Sequence, residues 1–234
     1  MMTYGQFCPI AKAAEIFCER WTALVIRNIA AGAHRYSDIQ RGVPHMSSTL
    51  LSKRLKLLEA EGIIAKRKSD RGSHWLYELT AAGAEFVPLV GALGAWGQRW
   101  TRRDLQDGEL DLGLLIWGLE HCVAPSVFAP GRVTVHINFT DIPRHKAEYW
   151  FVNKDGELDL CVSDPGFETD LFLSATLRNL THLYRGDIKV ATALDDGRLE
   201  AIGPQRLIRK LNDWFNFGPM AEIAPANGAP VSTF

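Results

Sequence analysis

The stretch SSTLLSKRLKLLEAEGIIAKRKSDRGSHWLYELT, Ser47 to Thr80, limits the fold of this chain more than any other. Turned through about 100° per residue, its first part puts Leu50, Leu51, Leu55, Leu57 and Leu58 on one broad arc. Thr49, Ser52, Lys53 and Lys56 fall opposite. Ser47 stands where a helix N-cap is needed, because its hydroxyl can accept a hydrogen bond from an otherwise orphaned backbone N–H. Gly62 ends the helix, and Ile63–Lys68 and His74–Leu79 follow as two short strand candidates. SDRGS between them is a Gly-containing turn, and Lys66, Arg67, Lys68 and Arg71 lie on or beside it. The pattern predicts an amphipathic helix followed at once by a β-hairpin with a cationic tip.

Upstream, Pro9 opens a helix with Ala11, Ala14, Ile16 and Phe17. Trp21 to Ala31 is nearly all apolar and predicts a buried helix closed by Gly32. Tyr36 to Gln40 is a short helix, and GVPHM (42–46) is a loop broken by Pro44. Helix, helix, helix and hairpin in this order make a winged helix-turn-helix. A face of short hydroxyls and lysines can reach base edges and phosphates of a duplex without bulk. Ser47, Ser48, Thr49, Ser52, Lys53 and Lys56 are therefore the expected major-groove residues, with Lys66, Arg67, Lys68 and Arg71 on the flanking phosphates. Arg54 falls at the edge of the apolar arc, where an internal ion pair and a phosphate contact are both open.

Charge supports the assignment by its position. The whole chain carries −1, but residues 1–103 hold 15 Lys and Arg against 8 Asp and Glu, a net +7, and residues 104–234 carry −8. A basic first half favours a polyanionic partner. The sign changes across RRDLQDGELD (102–111), so a linker is expected at 104–111 between a first domain over 1–103 and a second over 112–217. The segment 218–234, rich in Ala, Pro and Gly, is expected as a loose tail.

The first hundred residues resemble the HxlR-type winged-helix transcriptional regulators. FCPIAKAAEIF, ERWTALVIRNI, RYSDIQRGVPHMSSTLLSKRLKLLEAEGII and YELTAAGAEFVPLVGALGAWG carry the likeness, in order and at the family's spacings. The resemblance implies a homodimer that binds a specific, palindromic double-stranded operator. It also implies an oxidant-sensing role, found in some members, for a cysteine placed as Cys8 is before Pro9. As a residue, Cys8 reads equally as a small buried apolar group. Phe7 to Phe17 and the helix of Trp96 are the expected dimer seam. Gly91, Gly94 and Gly97 sit in a helical stretch with no strand before them, so they suit close helix packing and not a phosphate loop.

The second half has an α+β pattern. Leu112 to Val123 is an apolar helix. RVTVHINFT (132–140) alternates as a half-buried strand. Residues 147–153 and 157–162 form a hairpin about Lys154-Asp155-Gly156, and 170–175 is a further strand. Helices are expected at 176–184, 187–194 and 204–215, with a short strand at 198–203. DLFLSATLRNLTHLYRGDIKVATALDDGRLEAIGPQRLIRKLNDWF is similar to sterol-carrier-protein-like domains. That likeness implies a sheet covered by helices and a tunnel for an apolar effector, lined by Trp117, Phe128, Phe139, Trp150, Phe172, Leu183, Tyr184 and Trp214. The same aromatics also suit a plain core, and the domain could serve dimerisation alone.

No run reaches the ~20 apolar residues of a membrane-spanning helix, and the N-terminus lacks a signal pattern, so a cytoplasmic protein is expected. The four cysteines form no Cys-x-x-Cys pair. The seven histidines have no metal-ligand spacing, and neither a nucleophile elbow nor a zinc-protease motif occurs. No cofactor and no catalytic residue is expected. The alternatives to a ligand-modulated regulator are a redox regulator acting through Cys8, a lipid carrier and an acyltransferase-like enzyme.

Overall fold

The computed structural model describes residues 3–69, 72–101, 104–218 and 220–226. The chain divides into two compact units, Met1–Trp96 and Gly97–Phe234.

In the first unit α1 (Pro9–Phe17), α2 (Thr22–Ala30), α3 (Tyr36–Arg41) and α4 (Ser48–Ala60) precede a hairpin of β1 (Ile64–Lys68) and β2 (Trp75–Leu79). The long helix α5 (Ala81–Trp100) follows. The α4 leucines divide by depth: Leu51, Leu55 and Leu58 are buried, and Leu50 and Leu57 are half-buried. They pack with Val25, Ile26, Ile29, Ile39, Val43 and Met46 into one core. Trp21 takes a left-handed conformation, φ 79°, as the residue that starts α2. Asn28, fully buried, donates from Nδ2 to the Ile39 carbonyl at 3.0 Å. Its Oδ1 accepts from Arg27, whose guanidinium also donates to the Gly42 carbonyl at 2.9 Å. A Cβ at Gly42 would collide with the Asn28 amide, so glycine is what lets the end of α3 close onto α2. Gly62, at φ +70°, turns the chain from α4 into the hairpin, a conformation that costs other residues about 1–2 kcal/mol.

The second unit is built on five strands: β3 (Arg132–Phe139), β4 (Glu148–Lys154), β5 (Glu157–Cys161), β6 (Leu171–Ala175) and β7 (Glu200–Ile202). Their order is β5-β4-β3-β6-β7, with β3 parallel to β6 and the other pairs antiparallel. Val133, Val135, Ile137 and Phe139 share a face with Phe151, Leu171, Leu173 and Ala175. Helices α6 (Leu112–Cys122), α7 (Leu177–Tyr184), α8 (Val190–Asp195), α9 (Gln205–Ile208) and α10 (Leu211–Trp214) bury Leu119, Leu180, Leu183, Ala193, Leu207, Leu211 and Trp214 in the same core. Asn153 places a polar group inside it and satisfies it. Its Nδ2 donates to the carbonyls of Val133 and Phe151 at 3.0 Å each, and its Oδ1 accepts from Trp214 Nε1 at 2.8 Å.

Three expectations change here. The helix expected at 204–215 is two short helices, α9 and α10, and the one expected at 187–194 starts at Val190. The stretch 104–111 is held on the second unit: Leu105 is buried, and Arg178 donates to its carbonyl at 2.6 Å and pairs with Asp107. Of the expected tail, Pro219 and 227–234 lie outside the described residues, as do Arg71 of the hairpin turn and 102–103.

Candidate nucleic-acid interface

Ser47 caps α4 as its position predicts, its Oγ accepting from the Leu50 N–H at 3.3 Å. Beyond it Ser48, in the first turn, is exposed, and Thr49, Ser52, Lys53 and Lys56 are exposed on the helix surface turned away from Leu51, Leu55 and Leu58. The face is set chiefly by anchoring the other side in the core. Arg54 does not belong to it. It is 7% exposed, and its Nη2 reaches Glu19 Oε2 at 2.8 Å. A guanidinium buried among leucines needs an acceptor, and Glu19 supplies it. The ion pair, one of the two roles open at sequence level, is the one the structure takes. Arg54 is withdrawn from the DNA-contact set for that reason. The hydrogen bond from Arg54 and its positive charge together hold the Glu19 carboxyl below the usual glutamate range.

The hairpin sorts its cations by face. Lys66 lies opposite Tyr77, and Lys68 opposite Trp75, so these four share one side of the ladder. Arg67 lies on the other side and grips Glu78 with Nε at 2.9 Å from both carboxylate oxygens and Nη2 at 2.7 Å. Lys66 Nζ sits 4.7 Å from the centroid of the Trp75 ring and 5.8 Å from that of Tyr77. Lys68 is exposed. A further side chain, missed in the sequence, ties α3 to α4: the Tyr36 hydroxyl donates to the Ser48 carbonyl at 2.8 Å and accepts from Ser52 Oγ at 3.4 Å. Only the tertiary fold brings residue 36 beside residues 48 and 52, so no local sequence signal marks it.

The helix-turn-helix core now has its partners in known proteins. Residues 16–105 match the family described as HxlR-like helix-turn-helix. The uncharacterised HTH-type transcriptional regulator YvaP of Bacillus subtilis (strain 168) is 33% identical over 101 residues, 42% of this chain and 94% of that protein. The chain belongs to the HxlR-like helix-turn-helix family. Its first unit is accordingly that of an HTH-type transcriptional regulator. A second relative, sll1512 of Synechocystis sp. (strain ATCC 27184 / PCC 6803 / Kazusa), is 30% identical over 101 residues, 43% of this chain and 75% of that protein. Among solved structures, the reduced form of the transcriptional regulator YodB from B. subtilis is 26% identical over 40% of this chain and 93% of its own, with a TM-score of 0.36. The family match ends at residue 105, so most of the second unit stands outside it.

The expected ligand-lining residues of that unit are placed on two opposite sides of its sheet. Phe139 and Trp214 are in the core between sheet and helices, with Phe128 and Leu183. Trp150 and Phe172 are on the other face, where His136 stacks on Trp150 at 4.7 Å and meets Phe172 edge-on at 5.7 Å. Strand alternation forces this: Trp150 is opposite His136, whose parity differs from that of Phe139. One tunnel lined by all eight residues is therefore excluded by register. Trp117, on α6, is buried and stacks on His121 at 4.3 Å, and Tyr184 packs edge-on against Phe217 at 5.7 Å. Leu183 does border an open cavity of about 390 Å³, but its walls mix the apolar Ile188, Val190, Phe215 and Phe217 with the polar Lys189, Asn212, Asp213, Asn216 and Glu222.

Cys8 occupies the N-cap position of α1, half-buried, and Cys122 is half-buried too, its thiol pushed up to about 12 by desolvation. Among the described residues no group of three His, Cys, Asp or Glu could hold a metal ion, and no helix is long and apolar enough to cross a membrane.

Proposed function

We propose that this chain is a homodimeric, cytoplasmic regulator that reads a palindromic double-stranded operator and responds to an apolar small molecule in its second domain. The observation that carries the DNA reading is the exposed row Ser48, Thr49, Ser52, Lys53 and Lys56 on α4, followed directly by the exposed Lys68 of the hairpin. In this reading α4 lies in a major groove, with Thr49 and Ser52 toward base edges and Lys53 and Lys56 toward phosphates. Lys66, Lys68 and Arg71 follow the adjacent backbone. Arg67, committed to Glu78, contributes less to the surface charge.

Dimerisation is supported by apolar surface. Leu89, Leu93, Trp96 and Trp100 of α5 are each more than half exposed and repeat at spacings of four, three and four, the seam of a helix pair. Phe7, just before α1, and Ile10 within it are exposed too, and α1 is tied to α5 where Phe17 stacks on Phe86. Two recognition helices related by a two-fold axis read half-sites about 34–36 Å apart, which makes the operator palindromic. The effector reading is supported by the five-stranded, helix-covered second unit; the cavity beside Leu183, also walled by Lys189, Asn212, Asp213 and Glu222, does not by itself favour an apolar ligand. The membership of the first domain favours a regulator over a lipid carrier or an acyltransferase.

The test is to select duplexes from a randomised pool with the full chain and footprint the winners. Two protected half-sites one helical turn apart are expected. Winners without any common sequence would overturn sequence-specific reading. Redox control through Cys8 is the competing input, and retained operator release by oxidant in Cys8→Ser would eliminate it.

A further inference from the structure

Trp75 has no part in the core of the hairpin that carries it. It opens β2 with 49% of its surface exposed. Its partner across the ladder is Lys68, and Lys66 lies over its ring at 4.7 Å. Tyr77, next on the same side of the strand, is half-buried, and its N–H donates to the His34 carbonyl at 2.8 Å. Tyr36 in turn touches Ser48 and Ser52 of the exposed α4 face. The hairpin side that carries Trp75, Lys66 and Tyr77 is thus joined through β2 to the start of α3, and Tyr36 of α3 to the exposed α4 face. Arg67 and Glu78, which neutralise each other, lie on the opposite side of the hairpin.

We infer that Trp75 is a contact residue for double-stranded DNA, its indole packing on the deoxyribose edge of the groove flanking the one read by α4. The inference rests on the DNA-binding reading of α4 and the hairpin. An exposed indole is costly in water and is suited to a surface that is apolar in one part and charged in the next. The sugar-phosphate backbone is such a surface. Its phosphates match Lys66 and Lys68, and its sugar rings match the ring face between them. The surrounding charge selects the occupant: the domain is net +7, and the ring is flanked by cations on its own side of the hairpin, so a polyanion is favoured over a second protein. Lys66, already held over the ring, loses less side-chain freedom on meeting a phosphate than a lysine that starts free in solvent. Tyr36 serves as a positioning residue, because its hydroxyl fixes Ser52 Oγ before the duplex arrives.

The contact is non-ionic, and that distinguishes it from every lysine nearby. Trp75→Ala, Trp75→Phe and Lys66→Gln in the full chain are titrated with a duplex recovered from a randomised pool by the wild-type protein, over a range of salt. Trp75→Ala is expected to weaken binding about fivefold or more, with the slope of log affinity against log salt unchanged. Trp75→Phe recovers most of the loss. Lys66→Gln lowers the magnitude of the slope by about 1. Unaltered affinity in Trp75→Ala, with wild-type binding intact, overturns this contact and leaves the reading of α4 standing. Wild-type protein that recovers no duplex overturns both. Equal thermal melting of the three variants shows that the loss is at the interface. Loss of self-association in Trp75→Ala without loss of DNA affinity assigns the ring to a protein contact and contradicts the proposal.

Discussion

Arg54 shows how far a single residue can be read from its neighbours in sequence. Its position at the border of the apolar arc left two roles open, and the choice between them lies with Glu19, thirty-five residues away. A basic residue on α4 is thus a core residue, and its variant should behave like one. Arg54→Ala is expected to lower stability by about 1–3 kcal/mol, since it removes a buried side chain together with its part-buried, charge-assisted hydrogen bond, and to leave the salt slope of DNA binding intact. Denaturant unfolding together with a salt titration checks both. The pair also has a pH signature. The folded Glu19 carboxyl titrates below its unfolded value. Its contribution is therefore full above the usual glutamate pKa and is lost as pH falls through the depressed folded one. A Glu19→Gln protein should show a weaker fall in stability across that acid range. Tyr36 and Trp75 were not legible at all: the first needs the tertiary neighbour α4, and the second reads as an ordinary strand aromatic until its exposure is seen.

At the scale of elements the sequence was most informative where one face is buried and the other is not. The leucine arc of α4 carries a period that water and core enforce, whereas in β3 the alternation marks the core face correctly but its other face is covered too, with Thr134 fully buried. Cross-strand register was the missing quantity in the second unit. Aromatics at 139 and 150 look equivalent in a strand list, but pairing puts them on opposite sides of the sheet. The Leu89, Leu93, Trp96 and Trp100 stripe was partly legible through its tryptophans. Its exposure makes a firm expectation possible: Leu93→Lys with Trp96→Glu should convert a dimer to a monomer at micromolar concentration, measured by sedimentation. Wild-type protein that is already monomeric would remove this stripe from the account.

For the molecule as a whole, the charge division between halves corresponds to a division of roles in this account: a basic reader and an acidic domain outside the family match. A regulator needs an input, and the second unit is its proposed source. If a ligand enters the second unit, thermodynamic linkage makes the effect mutual. Coupling of about 1–3 kcal/mol would change operator affinity 5- to 150-fold, and operator would change ligand affinity by the same factor. Calorimetric titration of ligand into free and operator-bound protein should give unequal affinities. Equal ones would leave the second unit a scaffold or carrier.

The central claim is that the exposed face of α4 and its adjoining hairpin meet DNA phosphates. It is tested most directly by the salt dependence of operator binding in Lys53→Gln/Lys56→Gln/Lys68→Gln. Each lysine that meets a phosphate releases close to one counterion. The triple variant should therefore bind with a slope smaller in magnitude by about 3, and more weakly on every sequence. A slope and affinity equal to those of the wild type would contradict the account.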